Sequence, residues 1–403
     1  MRAALKLVER AAQLQKKTLL QGSSCLKGAA AGTQQQQIRQ LGQDAGSSSI
    51  YTRQTRSVSL GPSSQGQQQQ KAEATVSPRE LVDRDLNTMF QEIHQELEYQ
   101  LEENSELRDM AKYYFDGQGK AIRPVIALCV GHAYNAHNGA VDNLDIKKKQ
   151  RLVAIVSEMI HTASLVHDDV LDHAETRRGK ASVNMVWNSL KSTHCGDYIL
   201  AVCSRLMAKI DNTEVIVLLS RVLTDLVQGE LMQMQNKVEE NERFEAYLQK
   251  SFNKTASLMA YSCQANAVLA GETLEKSHSA FLYGKHIGIA FQLVDDLLDF
   301  VSSSEQLGKP AAADLELGLA TAPVLFATKE FPELNDMIAR RFSEPGDVER
   351  AFECAVSSGG LAETKKLAGQ HCEAALDAIR DLNDSIYKNT LFTICDTILN
   401  RLK

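Results

Sequence analysis

From residue 77 to the C-terminus, apolar positions recur at three- to five-residue steps. Leu81, Leu86, Met89, Phe90, Ile93 and Leu97 open the series, and that spacing keeps one stripe of a 3.6-residue helix facing inward. Equivalent stretches cover 121–137, 147–170, 196–210, 213–236, 244–268, 278–302, 360–381 and 385–402. Ser77-Pro78, with Glu80 after it, reads as a helix start: a capping hydroxyl, Pro at the first helical position and an acid in the first turn. Nothing alternates with period two. The pattern predicts an all-α fold, a large single-domain helical bundle, because each amphipathic face needs a partner face. No fixed-period repeat points to a solenoid. No run approaches the ~18 apolar residues of a membrane-spanning helix.

Residues 1–75 break this pattern. Leu5, Leu7, Val8, Ala11, Ala12 and Leu19 lie among Arg2, Lys6, Arg10, Lys16 and Lys17, followed by Gln34–Gln37, Ser47–Ser49 and Gln67–Gln70 in a Ser/Gln/Gly-rich stretch. Basic, Ser-rich and poor in acids, it has the composition of a mitochondrial transit peptide with a disordered linker. The expected division is thus 1–75 for targeting to the mitochondrial matrix and 76–403 for the folded domain. The arm carries ten Lys/Arg against three Asp/Glu within a chain of net charge −7, so the body is strongly acidic. An acidic body argues against nucleic acid as a partner. The eight cysteines (Cys25, Cys129, Cys195, Cys203, Cys263, Cys354, Cys372 and Cys395) are scattered without a C-x-x-C pair, which reads as buried free thiols.

Two acid motifs interrupt the apolar pattern. Asp168-Asp169-x-x-Asp172 ends the run through Ile155, Val156, Met159, Ile160, Leu165 and Val166. Asp295-Asp296-x-x-Asp299 ends the run through Ile287, Ile289, Phe291, Leu293 and Val294. The first and last aspartates of each motif share a helix face, one turn apart. Six carboxylates at the ends of buried helices call for cations to offset them. Oxygen donors without Cys favour Mg²⁺, which takes one or two carboxylates and completes its shell with water and phosphate. Basic groups accompany the acids: Gly119-Lys120-x-x-Arg123-Pro124, Arg177-Arg178-Gly179-Lys180, Lys254-Thr255 and Gly308-Lys309-Pro310. Arg forks and Lys point charges are the usual ligands of phosphate oxygens.

In order and spacing, Gly-Lys-x-x-Arg-Pro, Asp-Asp-x-x-Asp with Arg-Arg-Gly, Lys-Thr, and Gln292 ahead of the second Asp-Asp-x-x-Asp resemble the trans-polyprenyl diphosphate synthases over essentially all of 78–403. Segments 113–117, 158–169 and 340–348 resemble the long-chain members from animals. The resemblance implies the isoprenoid synthase bundle with a central apolar cavity. It implies a prenyltransferase condensing an allylic diphosphate with successive isopentenyl diphosphates. Lys120, Arg123 and His161, with Arg178, would hold isopentenyl diphosphate; Arg177, Lys254, Thr255, Gln292 and Lys309 would face the allylic diphosphate. Asp168, Asp172 and Asp295 would be the principal Mg²⁺ ligands, supported by Asp169, Asp296 and Asp299, with about three ions per site. Asp168, Asp172, Asp295, Lys254 and Arg177 would carry catalysis. No motif residue departs from the family pattern. The C-terminal Asn-Arg-Leu-Lys receives no role.

Ala163 and Ser164 lie five and four residues before Asp168, about one helix turn (~5 Å) below it, and such small residues leave room for a product of about eight to ten isoprene units. The resemblance further implies use in the ubiquinone side chain, and a diverged second subunit as partner in a hetero-oligomer such as a heterotetramer. Four rivals remain at this point, one of them a terpene cyclase, which shares an acid motif but needs neither Lys120 and Arg123 nor a second complete Asp-rich cluster. Bulky residues at 163 and 164 would mark a shorter-chain synthase. A scaffold subunit would show eroded acids or arginines. Glu158-x-x-His161 and Glu275-x-x-His278 match the pairs of a di-iron bundle.

Overall fold

The computed structural model describes residues 78–99, 105–116, 119, 121–234, 239–306 and 313–401. The expectations for 1–75, and for Lys120 and Lys309, lie outside these residues. Every long helix expected from the apolar pattern is present: α1 (Pro78–Glu98), α3 (Ile122–His137), α4 (Leu144–Leu171), α6 (Ser189–Ile210), α7 (Thr213–Met234), α8 (Arg243–Ser251), α9 (Ser257–Leu269), α10 (His278–Gln306), α15 (Gly360–Ala378) and α16 (Ile386–Asn400). Short helices fill the connections: α2 (Ser105–Lys112), α5 (Val183–Trp187), α11 (Ala313–Glu316), α12 (Ala322–Ala327), α13 (Leu334–Ala339) and α14 (Asp347–Ser357). None of the described helices is long and apolar enough to cross a membrane.

Two details differ from the expectation. Thr176–Arg177 (β1) and Lys180–Ala181 (β2) form a small antiparallel hairpin, Arg177 opposite Lys180. Arg178 and Gly179 make its two-residue turn with φ of 53° and 77°, and positive φ at both central positions is what a tight hairpin turn requires. Gly179 therefore serves backbone geometry. The stretch expected as one helix over 244–268 contains a π-helical segment at Phe252–Ala256 between α8 and α9.

α9 is buried on every side except at Tyr261, the pattern of a helix enclosed by others, and it packs against α3, α4, α7 and α10. Several of its polar groups find partners within the core, although Ser262 Oγ and Asn266 Oδ1 make no hydrogen bond among the described residues. The Asn266 amide donates to the Ala127 carbonyl at 2.6 Å, and Gln150 donates to the Asn266 carbonyl at 3.2 Å while pairing with Asn135. Close contact between the π-helical segment and α10 depends on a glycine: a Cβ on Gly288 would stand 2.4 Å from Ala256 Cα. The residues that follow Lys254 and Thr255 are thus drawn onto the helix carrying the second acid motif. A separate apolar cluster of Phe300, Leu315, Val324, Leu334, Phe342 and Ala351 supports the C-terminal part of α10. The seven described cysteines are buried free thiols, as expected; Cys25 lies outside the described residues.

Candidate active site

The first acid motif ends α4 and the second lies near the end of α10. In both, the middle aspartate is sealed in and held by a tyrosine. Asp169, fully buried, accepts from Tyr114 Oη at 2.6 Å and from Arg177 Nε at 2.8 Å. Asp296, 1% exposed, accepts from Tyr247 Oη at 2.5 Å and from Gln292 Nε2 at 2.8 Å. Asp168, Asp172, Asp295 and Asp299 are more accessible. Asp169 and Asp296 thereby orient the strands and helices around them, and their outer neighbours present the oxygens.

Arg177 is aimed by its hydrogen bonds to Asp169. Lys254 pairs with Glu230 at 2.6 Å and donates to Gln233 at 3.2 Å, and its charge acts on Asp168. Thr255 Oγ1 donates to Gln292 Oε1 at 2.7 Å, and Gln292 passes the connection on to Asp296. Arg178, itself exposed, lays its guanidinium against Gly119, and its charge acts on Arg123, His161 and the buried Glu158. Arg123 also feels the charge of Asp295. Arg123 thus acts on the second acid motif, while Arg177 and Lys254 act on the first.

Burial and like charge leave their mark on the acids. Asp168 is pushed up to about 6, chiefly by burial, with Glu230 and Asp172 adding to the rise and Lys254 opposing it. Burial also lifts Asp296 to about 6, against the hydrogen bonds from Tyr247 and Gln292. His161 is pushed far below its ordinary value by burial and then by Arg123, Arg178 and Arg177, so its imidazole is neutral at physiological pH. Asp314, beside the second motif, is raised to about 7 by burial, with Asp296 and Asp299 adding. A carboxyl with its native pKa above the unfolded value stabilises the fold when protonated. That contribution is complete below about 3.8 and is lost as pH rises through about 7. The metal-free protein is therefore expected to melt a few degrees lower at pH 8 than at pH 5, with a shallower slope in Asp314→Asn. Thermal scans across that range check this; equal slopes would remove Asp314 as a cause.

Several residues of the site carried no sequence signal. Arg401, in a C-terminal segment whose sequence suggests no role, pairs with Asp295 at 2.7 Å and stacks over Phe291, 4.8 Å from the ring centroid. Tyr114, Tyr247 and Glu230 are likewise joined to the motifs only by folding. Lys180, grouped by sequence with the phosphate-binding cations, is instead bound to Asp116 at 2.6 Å over the Tyr113 ring and anchors the hairpin. Ala163 is fully buried, and Ser164 Oγ donates to the His161 carbonyl at 2.9 Å. A cavity of about 760 Å³ opens toward the start of α10, walled by Val217, Leu218, Tyr261, Leu274 and Phe281. His278 and Glu275 also line it, at the opposite end of α10 from Asp295. The di-iron reading fails on this separation, since 17 residues of helix span ~25 Å and Glu158 belongs with Arg123 near Asp295.

Among the described residues no three His, Cys, Asp or Glu side chains converge into a ready-made metal cage. That suits Mg²⁺, which needs only one or two carboxylates and takes its other ligands from water and phosphate. The accessible oxygens of Asp168, Asp172 and Asp295, with no thiolate among them, fit it.

Residues 104–355 match the family model described as "Polyprenyl synthetase". The chain is 47% identical over 336 residues to the all-trans-polyprenyl-diphosphate synthase of Mus musculus, covering 83% of this chain and 81% of that one. It is 39% identical over 342 residues to decaprenyl-diphosphate synthase subunit 1 of Schizosaccharomyces pombe, covering 79% and 90%. The polyprenyl synthase of Caulobacter crescentus CB15, solved with calcium and isoprenyl diphosphate, superposes with a TM-score of 0.70 at 29% identity over 80% of this chain and 97% of that one. Members of this family are generally Mg²⁺-dependent and use allylic and isopentenyl diphosphates. With cations acting on both acid motifs and this similarity along most of its length, the chain belongs to the polyprenyl synthetase family and is a prenyltransferase.

Proposed function

We propose that the chain lengthens an allylic diphosphate with successive isopentenyl diphosphates to about C40–C50, because Ala163 and Ser164 set no bulky floor one helix turn (~5 Å) below Asp168. The observation that carries this reading is the meeting of two sequence-distant acid motifs with cations from three other segments, Arg123, Arg177 and Lys254.

Asp168, Asp172 and Asp295 hold Mg²⁺, about three ions once substrate is bound, with Asp169, Asp296 and Asp299 fixing their surroundings. Bound Mg²⁺ supplies stabilisation of the negative charge gathering on the departing diphosphate. Arg177, Lys254, Thr255, Gln292 and Lys309 bind the allylic diphosphate, and Asp169 pre-aims the Arg177 fork so that little ordering remains for the reaction itself. Lys120, Arg123, His161 and Arg178 hold isopentenyl diphosphate with its double bond toward the allylic carbon. His161, being neutral, offers a hydrogen bond without adding another positive charge to these cations. The apolar body below excludes water from the allylic cation. The proton released after carbon–carbon bond formation passes to an oxygen of the departing diphosphate.

Residues 1–75 direct the protein to the mitochondrial matrix, where its product becomes the ubiquinone side chain. A diverged second subunit completes a hetero-oligomer; the fission-yeast relative is itself named as a subunit 1. Incubation with labelled isopentenyl diphosphate, an allylic primer and Mg²⁺, with and without that partner, tests the reading. Long labelled polyprenyl products that disappear with chelator are expected. Products no longer than four isoprene units under all conditions would refute the chain-length assignment.

A further inference from the structure

A cavity of about 590 Å³ lies next to the second acid motif, formed by the end of α7, α8, the 318–325 segment and the turn at 338–341. That is a size at which proteins hold small molecules. None of the aspartates or cations assigned above lines it. One wall is apolar, with Met232, Leu319, Leu325 and Ile338. Three cations reach it: Arg243, Lys250 and Arg341. Glu239 and Glu240, both exposed, stand on the same cavity, so the cations outnumber the acids.

Lys250 precedes Lys254 by four residues across the π-helical segment. Among the described residues its ammonium makes no hydrogen bond or ion pair. Burial lowers its pKa, and the charge of Asp296 opposes that fall. Arg243 donates through Nη1 to Asn335 Oδ1 at 2.7 Å and has no carboxylate partner among the described residues. Arg341 lies against Gly318, its Nε 3.2 Å from where a Cβ there would stand. Arg341 and Phe342 are consecutive non-glycine residues at φ of 56° and 52°. Such backbone persists only where its surroundings enforce it, and it gathers at ligand-holding sites. Phe342 is buried in the cluster that supports α10, which fixes the turn and presents Arg341.

We propose that this cavity is a further diphosphate-binding site, apart from the two substrate diphosphates of the reaction site, with Arg243, Lys250 and Arg341 receiving the phosphate oxygens and the apolar wall accepting a short hydrocarbon. Two guanidinium forks and an ammonium match a diphosphate's geometry and charge. Tyr247, which holds Asp296, also lines the cavity, so an occupant touches the group that positions the second acid motif.

Calorimetric titration of the full chain in EDTA, first with inorganic diphosphate and then with a non-reacting isopentenyl thiolodiphosphate, tests the site without turnover. Arg243→Met and Lys250→Met are each expected to weaken binding about tenfold or more, the loss of one charge-assisted contact. Arg243→Lys, with the charge but not the fork, is expected to fall between, and urea midpoints confirm that each variant folds. Lys254→Met is expected to leave this binding within about twofold. Tighter binding of the thiolodiphosphate assigns the site to isoprenoid diphosphates; equal binding assigns it to the inorganic diphosphate released by the reaction. Binding lost in Lys254→Met yet retained in Arg243→Met would place the anion at the reaction site and overturn the proposal, as would no binding at millimolar concentration. Failure of elongation in aspartate variants bears on the reaction alone, so the two ideas fail separately.

Discussion

Asp168→Ala and Asp295→Ala, purified as folded chains and assayed with the partner subunit, are each expected to elongate about a thousandfold more slowly or worse, the scale on which removing a preorganised electrostatic contact acts. The two residues do not have the same surroundings. Asp168 stands near Lys254, Glu230 and Asp172. Asp295 is near Arg123 and pairs with Arg401. Yet they should fail alike, because each presents accessible oxygens from an otherwise buried helix end. Stability should move the other way. Asp168 is pushed up to about 6, chiefly by burial, so ionising it at neutral pH opposes folding of the metal-free chain, and its loss is expected to leave the melting temperature unchanged or raised. A large fall in kcat with no fall in stability separates a role at the reacting groups from a structural one. Elongation at the wild-type rate in both variants would end the metal-cluster account.

Asp169→Asn provides the contrast. It leaves Arg177 without its carboxylate and Tyr114 with a weaker acceptor in a fully buried place. Losing one partner of a buried pair exposes the other to its full desolvation cost, so this variant should lose stability as well as activity.

The long helices could be read from the chain because apolar spacing is a local property, and α3, α4, α7 and α10 begin and end within a few residues of the expected limits. The aspartate pairs stood out for the same reason: like charges at the end of an apolar run conflict with their neighbours. What could not be read depends on distance along the chain. The tyrosines that hold Asp169 and Asp296 lie 55 and 49 residues away, and Arg401 reaches Asp295 across 106 positions. The hairpin escaped notice because two residues per strand set no alternation. The π-helical segment escaped because one extra residue per turn over five residues barely disturbs a helical pattern. Arg-Arg-Gly-Lys looked like one anion-binding cluster, but the fold divides its labour: Arg177 to Asp169, Gly179 to the turn, Lys180 to Asp116. The short helices α11 to α14 follow one another between Gly318, Pro323, Pro332 and Pro345-Gly346, which cut their apolar spacing into pieces too short to recognise.

Product length should respond to a single side chain. Ala163→Phe is expected to shift the product from about C40–C50 to a few isoprene units, since it puts a ring on α4 about one turn (~5 Å) below Asp168. The first condensations, which occur at the diphosphates, should continue at a similar rate. The site is fully buried and Ala163 packs within the main core, so the ring must push toward the least filled side. Overpacking a core typically costs about 1–3 kcal/mol, and a variant too unstable to purify would not answer the question. Ser164→Phe addresses the same depth from a half-buried position whose hydroxyl bonds only the His161 carbonyl, and it should be better tolerated. Chromatography of labelled products reads both variants. Short products at near-normal turnover from either one would mean that the growing chain passes this turn of α4. Full-length products from both, at wild-type rates, would mean that it takes another way through the bundle and that the small residues serve only helix packing.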